Sequence, residues 1–223
     1  MNARRFARAE DLDLAPREYR TLARLTSPEK IQAFLNAIPC NHEIGGETVL
    51  SVQQVLRQRR AHCIEGAMVA AAALWVNGDR PLLIHLDCHE SDYPHVIAVF
   101  RRGGAWGAIS KTNGAPLRYR DPIYRTLREL TLSYFHEYSN KRGHKTLRSY
   151  SQPYDMRRLD PAKWVTAAKP CWEAHDLLTG RRHFPLITRR QERLLTRRDR
   201  FEQHAGKMVE YPRPPRPKRR ESP

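Results

Sequence analysis

Residues 58–75, QRRAHCIEGAMVAAAALW, join a short cationic segment with a histidine and a cysteine to a run of small apolar residues. The alanine-rich run predicts a helix from Cys63 to about Val76, and Gly78 follows where a helix would end. This assignment places Cys63 in the first turn, at the polar end of an apolar helix. A cysteine that only fills space does not need this position at the start of a helix. Two interpretations therefore stay open: a buried thiol of the core or a reactive thiol.

A thiol in the first turn of a helix is favoured as the thiolate, because the positive end of the helix dipole lies there. Arg59, Arg60 and His62 add to this effect. The thiolate is the nucleophilic form of cysteine, and free N–H groups of the first turn can bind an oxyanion. His62 could tune the pKa of the thiol, but its side chain is expected to point elsewhere. We therefore predict Cys63 as a nucleophile.

Composition narrows the class of protein. The chain has 223 residues, 40% of them hydrophobic, which suits one domain with a full core, or one domain plus a short appendage. No apolar run reaches the roughly 18–20 residues that a membrane span needs, and the first residues lack the apolar core of a secretory signal. We expect a cytoplasmic protein without membrane contact. Its four cysteines are scattered, without a C-x-x-C pair, and are expected to be free thiols: Cys40, Cys63, Cys88 and Cys171.

The rest of the chain predicts an α+β fold in which helices pack on an antiparallel sheet. Helices are expected over residues 26–38 and 51–60, and another from a cap at Asp121, with Pro122 in its first turn, to about residue 140. Between them, three β-rich runs are separated by turn residues, and Gly103–Gly104 predicts a hairpin. These runs are residues 81–88, 95–102 and 105–112.

The formal net charge of +16 is concentrated near the C-terminus. Residues 181–223 hold 14 Lys and Arg against 5 Asp and Glu. We predict a core domain over residues 1–180, a basic and helical extension over 181–211, and a disordered Pro- and Arg-rich tail over 212–223. The tail could bind polyanions weakly.

A thiolate nucleophile usually works with an imidazole that accepts and returns a proton. His95 opens the second predicted strand, 32 residues after Cys63. A third group normally holds the other ring nitrogen, and it is expected on the partner strand of the hairpin. Ser110, 15 residues after His95, occupies that strand.

The order of these residues resembles the transglutaminase-like superfamily, within the papain-like fold, over residues 25–140. That family has a Cys that opens a helix, a His that opens the next major strand, and a Trp-containing strand that ends in an Asp. Here the matching residues are Cys63, His95 and Trp106. The resemblance implies a papain-like core and a cysteine hydrolase or acyltransferase, meaning an amidase, peptidase or acyl transfer enzyme, that needs no cofactor. Its substrate would be a peptide, a protein or a small amide.

One position departs from the family pattern: the Asp that should follow the Trp by four residues is Ser110. A hydroxyl accepts a hydrogen bond from imidazole but supplies no negative charge. Asn113 is an alternative orienting group. Glu65, Trp106 and Asn113 are the predicted substrate-binding residues.

Two other classes of function stay open: a catalytically silent scaffold that binds a partner, and a basic protein that binds nucleic acid or another polyanion. No metal site is predicted. Residues 85–95, HLDCHESDYPH, contain side chains that bind zinc but lack a recognised spacing.

Overall fold

The helix predicted from the apolar run is the centre of the fold. In the computed structural model, which describes residues 6–215, helix α5 begins at Cys63 and ends at Val76, as predicted. Every residue from Ile64 to Val76 is buried. Gly78 follows with φ +89°, a left-handed conformation that glycine adopts without strain.

The preceding helices surround α5. Ser27 caps the helix that begins at Pro28, and Ser51 caps the next one, each accepting a hydrogen bond from a first-turn N–H. Both predicted helices are confirmed, although each ends about two residues earlier than expected. The helices are α1 (Ala9–Leu12), α2 (Pro16–Ala23), α3 (Pro28–Asn36) and α4 (Val52–Gln58).

An antiparallel sheet carries the other half of the core, and its spatial order is β4-β3-β2-β1-β5-β7, with β6 paired to one end of β1. The predicted hairpin is confirmed: Gly103 and Gly104 both have positive φ, as a two-residue hairpin turn requires. The strands are β1 (Leu82–Cys88), β2 (His95–Arg102), β3 (Ala105–Ile109), β4 (Arg120–Tyr124), β5 (Leu147–Ser151), β6 (Tyr154–Asp155) and β7 (His183–Pro185).

The helix predicted from Asp121 is wrong over its first turns. Asp121 and Pro122 lie in β4, the edge strand paired with β3, and the helix α6 runs only from Leu127 to Leu132. Thr126 caps α6 by accepting a hydrogen bond from the N–H of Glu129. A proline is tolerated in an edge strand, and pairing with β3 outweighs the local helix signal.

The basic segment that was predicted as a helical extension also completes the sheet. Strand β7 pairs with β5 at the edge opposite β4, so residues 181–211 are partly built into the core domain. Residues 172–206 contain three short helices: α7 (Trp172–Thr179), α8 (Arg189–Glu192) and α9 (Arg200–Gly206). Of the predicted tail, residues 212–215 have no regular structure, and residues 216–223 lie outside the described residues.

The sheet separates two apolar clusters. One contains α5 with the inward side chains of α2–α4, and the other contains Leu130, Tyr134 and Tyr138 beside residues of β1 and β2. Within residues 6–215, none of the helices is long and apolar enough to cross a membrane. Helices and an antiparallel sheet together confirm the α+β class. The start of α5 lies close to one end of the sheet.

Candidate active site

Cys63 is the first residue of α5, and the local backbone explains why the helix starts there. Helix α4 is stopped at Arg59, which has a positive φ of 56°. Ala61 then forms a short parallel bridge with Cys40, so the chain is extended before the helix begins. His62 keeps this extended conformation as the N-cap residue. The thiol thus lies where N–H groups of the first turn lack helical partners.

His95 and Ser110 meet at the same end of the sheet. His95 is the first residue of β2, and Ser110 follows the last residue of β3; because the strands are antiparallel, these positions are neighbours. Their side chains are buried, and the Nε2 atom of His95 lies 2.8 Å from the Oγ atom of Ser110. The two residues are neighbours, as predicted, although Ser110 lies one residue beyond the end of β3.

The hydrogen bonds of Ser110 fix the tautomer of His95. The hydroxyl of Ser110 donates its single proton to the carbonyl oxygen of Leu117 at 2.5 Å. It can therefore only accept from His95, so Nε2 of the ring carries a hydrogen. In the neutral ring the other nitrogen, Nδ1, then has a free lone pair. Such a nitrogen can take a proton from a thiol.

The backbone around Ser110 is held by groups that sequence reasoning missed. Gln32 of α3 clamps it, because its amide accepts from the N–H of Ser110 at 2.9 Å and donates to the C=O at 2.8 Å. Leu117 has a positive φ of 62°, which is uncommon for a residue with a branched side chain. Its N–H donates to the carboxylate of Glu137 at 2.8 Å. The clamp by Gln32 and the uncommon backbone conformation of Leu117 indicate that the orientation of Ser110 is fixed.

The four thiols differ in their acidity. At Cys63, burial raises the pKa, but hydrogen bonding and positive charge from His62 and His95 lower it well below its usual range. Burial raises the pKa of Cys40, and it raises the pKa of Cys88 to about 11 and that of Cys171 to about 12. All four are free cysteines, as predicted. The start of α5 is therefore the position in this set that favours a thiolate.

The prediction that the side chain of His62 points away from Cys63 is wrong. Its Nδ1 atom lies 3.9 Å from the Sγ atom of Cys63. On the other side of the ring, Nε2 lies 2.9 Å from the carbonyl oxygen of Thr48 and 3.2 Å from a carboxylate oxygen of Glu65. Cys63 is therefore in contact with a second imidazole besides His95. The extended backbone of the N-cap residue turns its ring along the helix start, which the sequence pattern alone does not indicate.

The three predicted substrate-binding residues occupy different places. Glu65 is fully buried, and its carboxylate accepts hydrogen bonds from inside the protein, so it is not available to a substrate. Trp106 lies at the far end of β3 from Ser110, with the guanidinium of Arg101 over its ring at 5.2 Å. Neither residue lines the cleft that opens beside Cys63.

Asn113 lies at the cleft but does not reach His95 as an orienting group. Its amide donates to the carbonyl oxygen of Tyr211 and accepts from the N–H of the same residue, each at 2.9 Å. The hydroxyl of Tyr211 in turn donates to the carbonyl oxygen of Asn36 at 2.6 Å. Asn113 therefore holds Tyr211 beside the cleft, whereas the hydroxyl of Ser110 makes the hydrogen bond to His95.

A cleft of about 470 Å³ opens beside Cys63. The cleft is lined by the loop before β2, by residues that follow α6 and by residues that follow β3. Its lining includes apolar and aromatic groups next to the thiol and the imidazoles: Tyr93, Pro94, Pro116, Leu117 and Tyr138. The reacting groups are thus accessible from solvent through a partly apolar opening.

Lys111 is a buried cation that no sequence motif marks. It lines the cleft with its stem, and its ammonium group donates to the carbonyl oxygens of Leu35 and Ile38 at the end of α3. A Cβ atom added to Gly66 would lie 2.4 Å from the Cβ of Lys111. Glycine at this position therefore lets the segment after β3 pack directly against the first turn of α5.

Among residues 6–215, no group of three or more His, Cys, Asp or Glu side chains is placed to hold a metal ion. No protein-family model matches the chain, and no curated protein matches it. A function for this protein is therefore inferred from the chemistry of the groups around Cys63.

Proposed function

We propose that this protein is a cysteine hydrolase or acyltransferase that acts on an amide or a related acyl bond, with Cys63 as the nucleophile. This agrees with the resemblance of its Cys–His order to the transglutaminase-like superfamily. The observation that carries the proposal is the environment of the thiol: two imidazoles lower its pKa, and Ser110 fixes the tautomer of one of them. Perturbed groups that converge in a cleft are typical of active sites.

In the acylation step, the thiolate of Cys63 attacks the carbonyl carbon of the bound substrate and forms a C–S bond. The carbonyl oxygen becomes an oxyanion, which the first-turn N–H groups of α5 can stabilise. As the C–N bond breaks, the Nδ1–H of protonated His95 donates its proton to the leaving amine. The products are an acyl-thioester on Cys63 and a free amine.

In the second step, water or an acceptor amine attacks the thioester. Neutral His95 takes a proton from the attacking group at Nδ1, and the C–S bond breaks to return the thiolate of Cys63. Ser110 keeps the ring in the orientation that both steps need, because its hydroxyl accepts from Nε2–H throughout. The neutral hydroxyl orients the ring without supplying the negative charge of the family Asp.

The alkylation rates of the four cysteines test the nucleophile. At about pH 7, iodoacetamide should label Cys63 far faster than the other thiols, since only the thiolate reacts. Cys88 is the matched control, because it is partly buried like Cys63 but has a raised pKa. Equal rates at Cys63 and Cys88, measured by peptide mass spectrometry, would contradict a reactive thiol.

A covalent intermediate tests the chemistry. An activated aryl ester should transfer its acyl group to Cys63, and mass spectrometry should find the adduct on that residue. Cys63→Ala should abolish the adduct and Cys88→Ala should not. A reactive Cys63 without any acyl adduct or turnover, over a range of amide and ester substrates, would instead favour the catalytically silent scaffold.

A further inference from the structure

The negative charge that Ser110 does not supply is present at another position of the site. Glu65 has no exposed surface, yet its carboxylate lies in the first turn of α5, two residues after the nucleophile. A buried carboxylate is stable only when donors surround it. The donors here are the amide of Asn41, the hydroxyl of Thr48, the N–H of Leu50 and the N–H of His62, at 2.8–3.1 Å.

The ring of His62 lies between this carboxylate and the thiol. Its Nε2 atom contacts the carbonyl oxygen of Thr48 and a carboxylate oxygen of Glu65, and both of these only accept hydrogen bonds. Nε2 therefore carries a hydrogen. The opposite nitrogen, Nδ1, lies 3.9 Å from the sulfur of Cys63. The order carboxylate, imidazole, sulfur is thus complete within residues 62–65.

We propose that His62 and Glu65 form a lasting imidazolium–carboxylate pair that holds Cys63 as the thiolate, while His95 carries out the proton transfers. This inference rests on the proposed function. His62 acts directly on the reacting sulfur, whereas Glu65 is a positioning residue that acts through His62. In a simple Cys–His pair, one histidine both stabilises the thiolate and transfers protons. Here His62 stabilises the thiolate and His95 transfers the protons.

The charges around His62 support this division. Burial by itself lowers the pKa of His62, but its hydrogen bonds with Cys63 and Glu65 and the negative charges of both raise it to about 11. A group that keeps its proton so firmly is a poor general acid near neutral pH, because efficient proton transfer needs a pKa near the working pH. His62 is therefore suited to stabilise charge and not to exchange protons.

Other charged and titratable groups near the pair act in the same direction or are already engaged. Glu43 adds a second carboxylate 3.6 Å from Nε2 of His62. Burial raises the pKa of the Cys40 thiol and of the Tyr138 hydroxyl, so both stay neutral. The ammonium group of Lys111 is held by two backbone carbonyls.

The test compares His62→Gln with His95→Gln. Glutamine at position 62 can still donate to the carbonyl of Thr48, but it carries no charge. The pH at which Cys63 becomes reactive to iodoacetamide should rise by about one unit or more in His62→Gln. At any pH below the transition of the wild type, the alkylation rate should then be lower by about tenfold or more in the variant. Glu65→Gln should shift the profile in the same direction.

Turnover of the aryl ester separates the two histidines. In His62→Gln, turnover should approach that of the wild type at about pH 9–10, because the thiol then ionises without help. In His95→Gln it should stay low at every pH, because the proton carrier is missing. An unchanged alkylation profile in His62→Gln, or turnover that alkaline pH does not restore, would overturn the division of roles.

A measurement on the wild-type protein covers the case in which the variants do not fold. With ¹⁵N-labelled histidine, the NMR signals of His62 should show both ring nitrogens protonated from about pH 5 to about pH 9. A His62 ring that becomes neutral near its ordinary pKa would refute the inference. This measurement needs no substrate, so it can fail while acyl transfer is observed, or succeed when no turnover is found.

Discussion

Replacing Ser110 with alanine tests the group that orients His95. The change removes one hydroxyl that accepts from Nε2–H of His95 at 2.8 Å and donates to the carbonyl oxygen of Leu117 at 2.5 Å. Ser110 is 1% exposed, so water cannot simply replace the hydroxyl. Both hydrogen-bond partners of the hydroxyl, His95 and the carbonyl oxygen of Leu117, therefore lose a hydrogen bond.

The expected loss of stability follows from His95, the hydrogen-bond partner that stays buried. His95 is only 7% exposed, and a buried donor left without an acceptor costs about 1–3 kcal/mol. For a protein of this size, each kcal/mol lowers the melting temperature by about 2–4 °C, so we expect a decrease of about 2–12 °C. The control is Ser91→Ala. Its hydroxyl also makes two hydrogen bonds, to His89 and Asn140, but at an exposed position where water can replace them, so the melting temperature should fall far less.

The same substitution should lower the rate of acyl transfer. Without Ser110, the neutral ring of His95 is no longer restricted to the tautomer with the hydrogen on Nε2, so Nδ1 is less often free to act as a base. We expect ester turnover to fall by about tenfold or more. If thermal unfolding and turnover are both unchanged in Ser110→Ala, then Ser110 does not orient His95 and the argument from its hydrogen bonds is refuted.

Three further predictions concern the frame of the site. Gly66→Ala should lower the free energy of unfolding by about 1–3 kcal/mol, since the new Cβ meets the stem of a buried lysine, whereas Gly45→Ala, with open space around it, should cost less. The pKa of Asp155 is lowered by two arginines despite burial, so the stability it contributes is present above about pH 4 and is lost on acidification. The urea-midpoint difference between wild type and Asp155→Asn should therefore shrink as the pH falls. Deleting every residue after Tyr211 should leave the melting temperature unchanged, whereas deletion from Met208 onward should lower it, because those residues bond to the loop after β3.

Local signals in the sequence predicted several elements correctly. Alanine-rich composition and a following glycine fixed α5 to within a residue at each end, and Ser27 before Pro28 marked the start of α3. Two adjacent glycines marked the hairpin between β2 and β3. Each of these signals depends on backbone preferences of a few neighbouring residues, so it is readable without the rest of the fold.

Long-range pairing decided what the local signals missed. Residues 120–124 carry a good helix-start signal, but β3 recruits them as an edge strand. Residues 183–185 join the sheet through β5, although they lie in a basic segment that looked like an appendage. In both cases the hydrogen bonds of a distant strand outweigh the local preference, and sequence patterns do not record which strands will meet.

The sequence by itself determined that a thiol lies at the start of an apolar helix and that a histidine opens β2. Each of these positions depends only on the residues of its own helix or strand. Only the tertiary structure decided which groups surround them. The hydroxyl of Ser110 binds His95, as expected, but the buried carboxylate of Glu65 lies under His62 instead of facing a substrate. That outcome depends on the extended conformation of the N-cap residue and on four hydrogen-bond donors from two loops, which make the buried charge tolerable. These loops come together only in the folded chain.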